Sequence, residues 1–298
     1  MSDEKILPGR VTPWRQTYWD WRAAGNFICG GSGTGLLFFA TLAAGNMDAY
    51  RTMALVALAF IGCGLFCVWL EIGKPLRSIN VYFHPQTSWM TREAIVAGLL
   101  FLCGIVTLWF GAGFFAGTTA LLGIVFLYCQ GRILLASKGI PAWREPKVMP
   151  LILATGFVEG AGLAVVLSAF LPGDGPRWLA GALLGALILR RIAWTLYFKA
   201  VEKSGLPKKA MAVLRPFGAK FEMVGQLLPE ITLVMGIFYD AVLTGLTFVA
   251  GLIAAAAGWW LKYTLVVRAA YNQGYALPVL PVRGQGEVKP GIKPGWTK

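Results

Sequence analysis

Apolar runs of about 20 residues recur along this chain, and the loops between them alternate in charge. A helix needs about 20 residues to cross the hydrocarbon core of a bilayer. Runs of this length begin near Ala23, Thr52, Glu93, Phe114, Val148, Trp178, Phe221 and Val242. Backbone in lipid must satisfy its own hydrogen bonds, so only helices and closed barrels span it. The expected fold is therefore all-α, a polytopic membrane bundle of about eight transmembrane helices. Composition agrees: 57% of residues are hydrophobic, only 14% are charged, and mean hydropathy is +0.63.

The loops fall into two sets. One holds the N-terminal arm, residues 73–92, 137–147 and 201–219, and the tail. The other holds residues 45–51, 111–113, 172–177 and a turn near Asp240. The first set and its flanks carry nearly all the Lys and Arg. The second carries only Arg51 and Arg177, against Asp48, Asp174 and Asp240. The positive-inside rule then expects both termini in the cytoplasm of a bacterial inner-membrane protein, as an even span count requires. The net charge of +13 is accounted for by anionic headgroups rather than by nucleic acid. The division follows: an arm over 1–21, a membrane domain over 22–268 and a tail over 269–298. The first apolar run is a full span rather than the short core of a cleaved signal, so it is expected to be retained.

Metal chemistry finds little support in this chain. Cys29, Cys63, Cys67, Cys103 and Cys129 all fall inside apolar runs. Cys63 and Cys67 share a helix face but lack a nearby His or acidic partner. His84 is the single histidine, which rules out a haem b held between two histidines of this chain. No haem and no metal is expected.

Polar residues inside the spans are the candidates for function. The run Gly30-Gly31-Ser32-Gly33-Thr34-Gly35 lacks the Lys and the preceding strand of a phosphate loop. It suits close helix packing, or a flat ring lying against the smooth face at Gly31 and Gly33. Glu159, Arg190, Arg191, Glu222 and Glu230 also lie within spans, where charges are costly and face the bundle interior or water. Pairing of Glu159 with Arg190 or Arg191 is expected, with proton or ion passage as the sharper alternative. Trp259, Trp260, Lys262 and Tyr263 suit an anchor at the headgroups, and the pattern equally suits a helix running past the membrane.

The densest polar cluster brackets the loop between spans two and three. It comprises Glu71, Lys74, Arg77, His84, Ser88, Trp89, Arg92 and Glu93. Glu71 and Glu93 stand at opposite ends of that loop, so both can sit at one membrane depth. An apolar pocket rimmed by such groups suits a quinone. The ring enters from lipid, and a carboxylate relays the protons that accompany its electrons. A salt-bridge network fixing two helix ends accounts for the same residues equally well.

Leu70-Glu71-Ile72-Gly73-Lys74-Pro75-Leu76-Arg77 and Ser88-Trp89-Met90-Thr91-Arg92-Glu93 resemble paired motifs of a known family. They are similar to His-Leu-Gly-x-Pro-x-Arg and Ser-Trp-x-Ser-Arg-Glu in the membrane anchors of dimethyl sulfoxide reductase-type molybdoenzymes. Glu71 stands where that pattern has histidine, and the glycine run of span one differs as well. The resemblance is thus to a divergent branch, such as the anchors of sulfite- or aryl-acetyl-CoA-oxidising complexes. It implies an electron-transport subunit reactive toward ubiquinone or menaquinone. It implies two partners: a ferredoxin-like subunit with four [4Fe-4S] clusters on the basic loop side, and a molybdenum or tungsten bis-pterin catalytic subunit. Glu93, and after it Glu71, would exchange protons. Lys74, Arg77, His84, Ser88, Trp89, Arg92, Gly31 and Gly33 would line or orient the quinone site. A secondary transporter and a purely structural tether are the alternatives.

Overall fold

A computed structural model describes residues 10–42, 47–72, 75–111, 113–171, 177–238 and 243–276. Lys74, Asp174, most of the 172–177 loop, the turn at Asp240 and the end of the tail lie outside the described residues. Seven described helices are long and apolar enough to cross a membrane. They are α2 (Met47–Glu71), α3 (Trp89–Phe110), α4 (Gly113–Ala136), α6 (Val148–Ser168), α7 (Arg177–Lys203), a continuous helix over Lys208–Phe238, and one over Thr244–Arg268. The eighth long helix, α1 (Trp21–Leu42), is diluted by glycine and polar residues, and its length of 22 residues still matches a bilayer core. The chain is a multi-pass membrane protein with a helical bundle fold.

Small residues explain why α1 sits at the centre. It packs against α2, α4, α6 and α10 (Leu243–Tyr263). Each glycine of its run admits a different neighbour. A Cβ on Gly33 would lie 2.5 Å from the Ala57 carbonyl of α2. One on Gly30 would strike Gln130 of α4, and one on Gly31 would strike Lys262 of α10. Gly35 meets the backbone of Gly156 and Gly160 on α6, so two helices touch main chain to main chain. In lipid this close packing replaces the missing hydrophobic drive between helices. Gly160→Leu has no space to occupy, because its neighbour is the Gly35 backbone rather than a flexible side chain. Overpacking typically costs about 1–3 kcal/mol, and a rigid backbone contact belongs at or above the top of that range. Thermal unfolding of the purified variant should show a lowered midpoint, and a wild-type midpoint would show that the α1–α6 seam can open.

The Lys208–Phe238 helix begins earlier than the apolar run suggests. Its first part, α8 (Lys208–Lys220), falls where a loop over 201–219 is expected from sequence. A π-helical stretch, Phe221–Leu227, joins it to α9 (Leu228–Phe238). Pro229 has no N–H to offer the Gly225 carbonyl one turn back, and Arg190 Nη2 takes that carbonyl at 2.6 Å. A second π stretch, Thr264–Arg268, ends the last span. There the Leu265 carbonyl accepts Trp143 Nε1 at 2.8 Å.

The first and last described segments meet. Arg10–Val11 pairs antiparallel with Tyr275–Ala276, and the backbone of Gln16 donates to the Ala270 carbonyl at 2.9 Å. Trp19 stacks on Trp143 of the short helix α5 (Pro141–Arg144), with ring centroids 4.8 Å apart. The arm and the start of the tail therefore leave the bundle on the same side. The 3-10 helix Pro75–Phe83 between α2 and α3 lies at that end too.

Candidate functional site

Three elements frame a cleft of about 520 Å3: the end of α2, the 3-10 helix and the start of α3. Leu65, Val68, Trp69, Ile79, Tyr82 and Phe101 supply apolar walls, and Glu93 is the carboxylate of the lining. Trp69, Ile79 and Tyr82 are exposed on the outside of the bundle, where lipid would lie. A smaller chamber of about 130 Å3 adjoins it between α1, α2 and α3, and shares Val68, Ile72, Met90 and Glu93 with it. Glu71, Asn26 and Trp19 line this inner chamber. Glu93 therefore stands between a lipid-side cleft and a smaller, mostly apolar chamber that also holds Asn26 and Glu71.

Glu93 is only 5% exposed. Its Oε1 accepts from Asn26 Nδ2 at 3.2 Å, and Gln130 Nε2 donates to the Asn26 carbonyl at 2.9 Å. Asn26 Oδ1 and Gln130 Oε1 are buried acceptors with no donor among the described residues. A buried orphan acceptor is costly. A protonated Glu93 carboxyl, or the hydroxyl of a bound hydroquinone, would supply the donor. The donor set of the site thus fits a group that gains and loses protons.

The remaining cluster residues hold the frame. Ser88 caps α3, its Oγ accepting from Thr91 N at 3.2 Å. Arg92 donates to the Pro85 and Gln86 carbonyls at 2.7 and 2.9 Å, so it pins the loop before α3 rather than a carboxylate. Trp89 is held between Arg92 and Arg132, whose guanidinium carbons lie 4.1 and 4.6 Å from its ring. His84 is exposed, and its carbonyl accepts from the amides of Thr87 and Ser88. Arg77 falls in the 3-10 helix with its side chain outside the described residues. Glu71 is half-buried. Beside it, Arg22 Nη1 donates to the Leu70 carbonyl at 2.8 Å, tying the start of α1 to the end of α2. The hydrogen bonds from Arg22 also hold the Asp20 carboxyl below its usual pKa.

Gly31 and Gly33 do not line the cleft; both are filled by neighbouring helices. The intramembrane charges differ from the pairing expected above. Glu159 pairs with Lys262 at 2.6 Å, both side chains fully buried. Arg190 donates instead to the Ala254 and Gly225 carbonyls, at 2.9 and 2.6 Å. Arg191 pairs with Glu230 at 2.7 Å. Lys262 is no headgroup anchor: the last span continues to Arg268 and carries it into the interior. Ser32 Oγ donates to Glu159 Oε2 at 3.0 Å, and Trp259 Nε1 donates to Ser32 Oγ at 2.8 Å. A second groove of about 550 Å3 lies between α7 and the Lys208–Phe238 helix, with Glu202, Arg215 and Glu222 in its lining. The Arg215–Glu202 ion pair there, at 2.9 Å, is largely exposed.

Asn26, Gln130, Arg22 and Lys262 were not singled out as site or pairing residues from sequence. An amide side chain inside an apolar run was the available signal for the first two. Among the described residues, no group of three or more His, Cys, Asp or Glu side chains is placed to hold a metal.

The family model described as polysulfide reductase, of the NrfD type, matches residues 12–277. A sulfite dehydrogenase subunit from Allochromatium vinosum is 28% identical over 142 residues. That alignment covers 41% of this chain and 43% of the relative, so the chain spans less than half of that protein's length.

Proposed function

Since the chain belongs to the NrfD-type polysulfide reductase family, we propose that it is the quinone-reactive membrane anchor of a molybdenum or tungsten bis-pterin oxidoreductase complex. The observation that carries this reading is the lipid-side apolar cleft that ends on buried Glu93. A quinone head needs apolar walls open to the bilayer and one group that exchanges protons at its oxygens. The sulfite dehydrogenase subunit from Allochromatium vinosum supports a place in a multi-subunit complex.

In this reading quinone is the substrate, and a partner's iron–sulfur cluster supplies the two electrons that turn it into hydroquinone. Glu93 gives the two protons that accompany them, one after the other, and is reprotonated between. Asn26 Nδ2 fixes the carboxyl oxygen that must face the ring. Glu71 lines the inner chamber beside Glu93 and is partly open to solvent, so it returns the proton from water. Arg92 and Ser88 keep the loop and the first turn of α3 in place. The iron–sulfur subunit would dock over the 3-10 helix, on the basic side that both chain ends share. That side is cytoplasmic by loop charge, and the complex would then reduce quinone of the inner membrane.

A photoreactive azidoquinone applied to the intact complex tests the site. Label is expected on peptides spanning residues 65–72 and 79–101. Label confined to the groove between α7 and the Lys208–Phe238 helix would reject it. In the same complex, a cross-linker placed within residues 78–86 should capture the iron–sulfur subunit, and failure to do so would put docking on another face.

A further inference from the structure

Three thiols lie outside the cleft on the seam between α1 and α2. The seam is antiparallel and very close, and its contacts fix the register. A Cβ on Gly25 would lie 2.9 Å from Cys67 Sγ, and one on Gly33 would lie 2.6 Å from the Ile61 side chain. Between these points, a Cβ on Gly64 would lie 3.2 Å from both the Asn26 carbonyl and the Gly30 nitrogen. One turn along from the Gly25–Cys67 contact, this register brings Cys29 opposite Cys63. A disulfide needs Cα atoms roughly 4.4–6.8 Å apart with side chains facing each other, and the glycines of this seam are what let the two backbones approach. Cys63 is exposed on the outside of the bundle at bilayer depth, and Cys29 is partly buried beneath it.

We infer that Cys29 and Cys63 form a reversible dithiol–disulfide site across the α1–α2 seam, oxidised by a lipid-soluble quinone. The site rests on the seam and not on the cleft; only its oxidant is shared with the proposed function. Each thiol loses its hydrogen and an S–S bond forms. The two electrons and two protons convert the two quinone carbonyls to hydroquinone hydroxyls. A quinone suits this site as oxidant because it partitions into the hydrocarbon layer and meets exposed Cys63 from that side. Cys67, one turn from Cys63, is packed on Gly25 and takes no part in the bond. The bond would lie one turn from Asn26, which holds Glu93, and about one turn from Val68 in the cleft wall. Oxidation therefore pins the two helices that carry Asn26 and Glu71, the neighbours of Glu93 on α3.

The test uses the reduced full chain in lipid nanodiscs. After treatment with a decyl-substituted benzoquinone, two of the five thiols should resist alkylation. A Cys29–Cys63 linked peptide should appear by mass spectrometry, one equivalent of hydroquinone should form, and dithiothreitol should restore all five thiols. Diamide, which oxidises dithiols directly, should give the same link. Cys63→Ala and Cys29→Ala should each abolish it, and Cys103→Ser should not. Five reactive thiols after both reagents would overturn the site, as would a Cys63–Cys67 link or a quinone adduct on Cys63 in its place. A link formed by diamide but not by the quinone would overturn the oxidant.

Discussion

Glu93→Gln is expected to lower quinone-coupled turnover of the assembled complex by about 100-fold or more, the usual scale for losing a positioned acid–base group. Glutamine keeps the shape and can still accept the Asn26 Nδ2 bond, so helix packing around α1 and α3 should persist. What it loses is the exchangeable proton at the wall shared by the cleft and the inner chamber. Activity with an artificial dye that draws electrons from the soluble subunits should be unchanged, because those electrons never reach this chain. The pair of assays separates two roles. Loss of both activities, with subunits dissociated, would make the Asn26–Glu93 contact structural. Normal quinone kinetics would remove Glu93 from the chemistry. Glu71→Gln should be milder, since Glu71 is partly open to solvent and water can bypass it.

The helical bundle was legible because lipid imposes one rule on every span: length and apolarity must suffice over about 20 residues. The same rule hid two features. α8 is polar enough to read as loop, yet it is the first part of one long helix that runs through the π stretch Phe221–Leu227, where Arg190 of α7 takes the Gly225 carbonyl. Lys262 suited either an interfacial anchor or a helix running further, because Lys is expected at span ends. The helix runs on to Arg268 and turns Lys262 toward Glu159. The cluster around the loop after α2 was visible as a concentration of charge. Which members face the cleft was not, because that depends on helix rotation. Glu93 faces it, whereas Arg92, next in sequence, turns back onto the Pro85 and Gln86 carbonyls. Asn26 and Gln130 sit far apart in sequence and acquire a role only when α1 and α4 meet.

The Glu159–Lys262 pair is expected to give the largest stability effect in the molecule. Both side chains are fully buried at 2.6 Å, and Lys262 also donates to the Phe27 carbonyl at 2.8 Å. Taking two charges out of water is expensive, and their mutual attraction offsets that cost only while both are present. Lys262→Met leaves a carboxylate with Ser32 as its remaining donor, and Glu159→Gln leaves an ammonium facing backbone. Either change should cost about 3–5 kcal/mol of unfolding free energy in mixed micelles. The double variant removes both charges and keeps an acceptor for the Ser32 hydroxyl. It should cost less than the sum of the singles by about 3 kcal/mol, because neither residue is left stranded. Additive losses would mean that the two ions are solvated independently and that the pair does not join α6 to α10. Because Lys262 and Glu159 both press on Gly31 of α1, the single variants should also loosen the helix that presents Asn26 to Glu93. Quinone-linked turnover should then fall with stability in the singles and recover with it in the double.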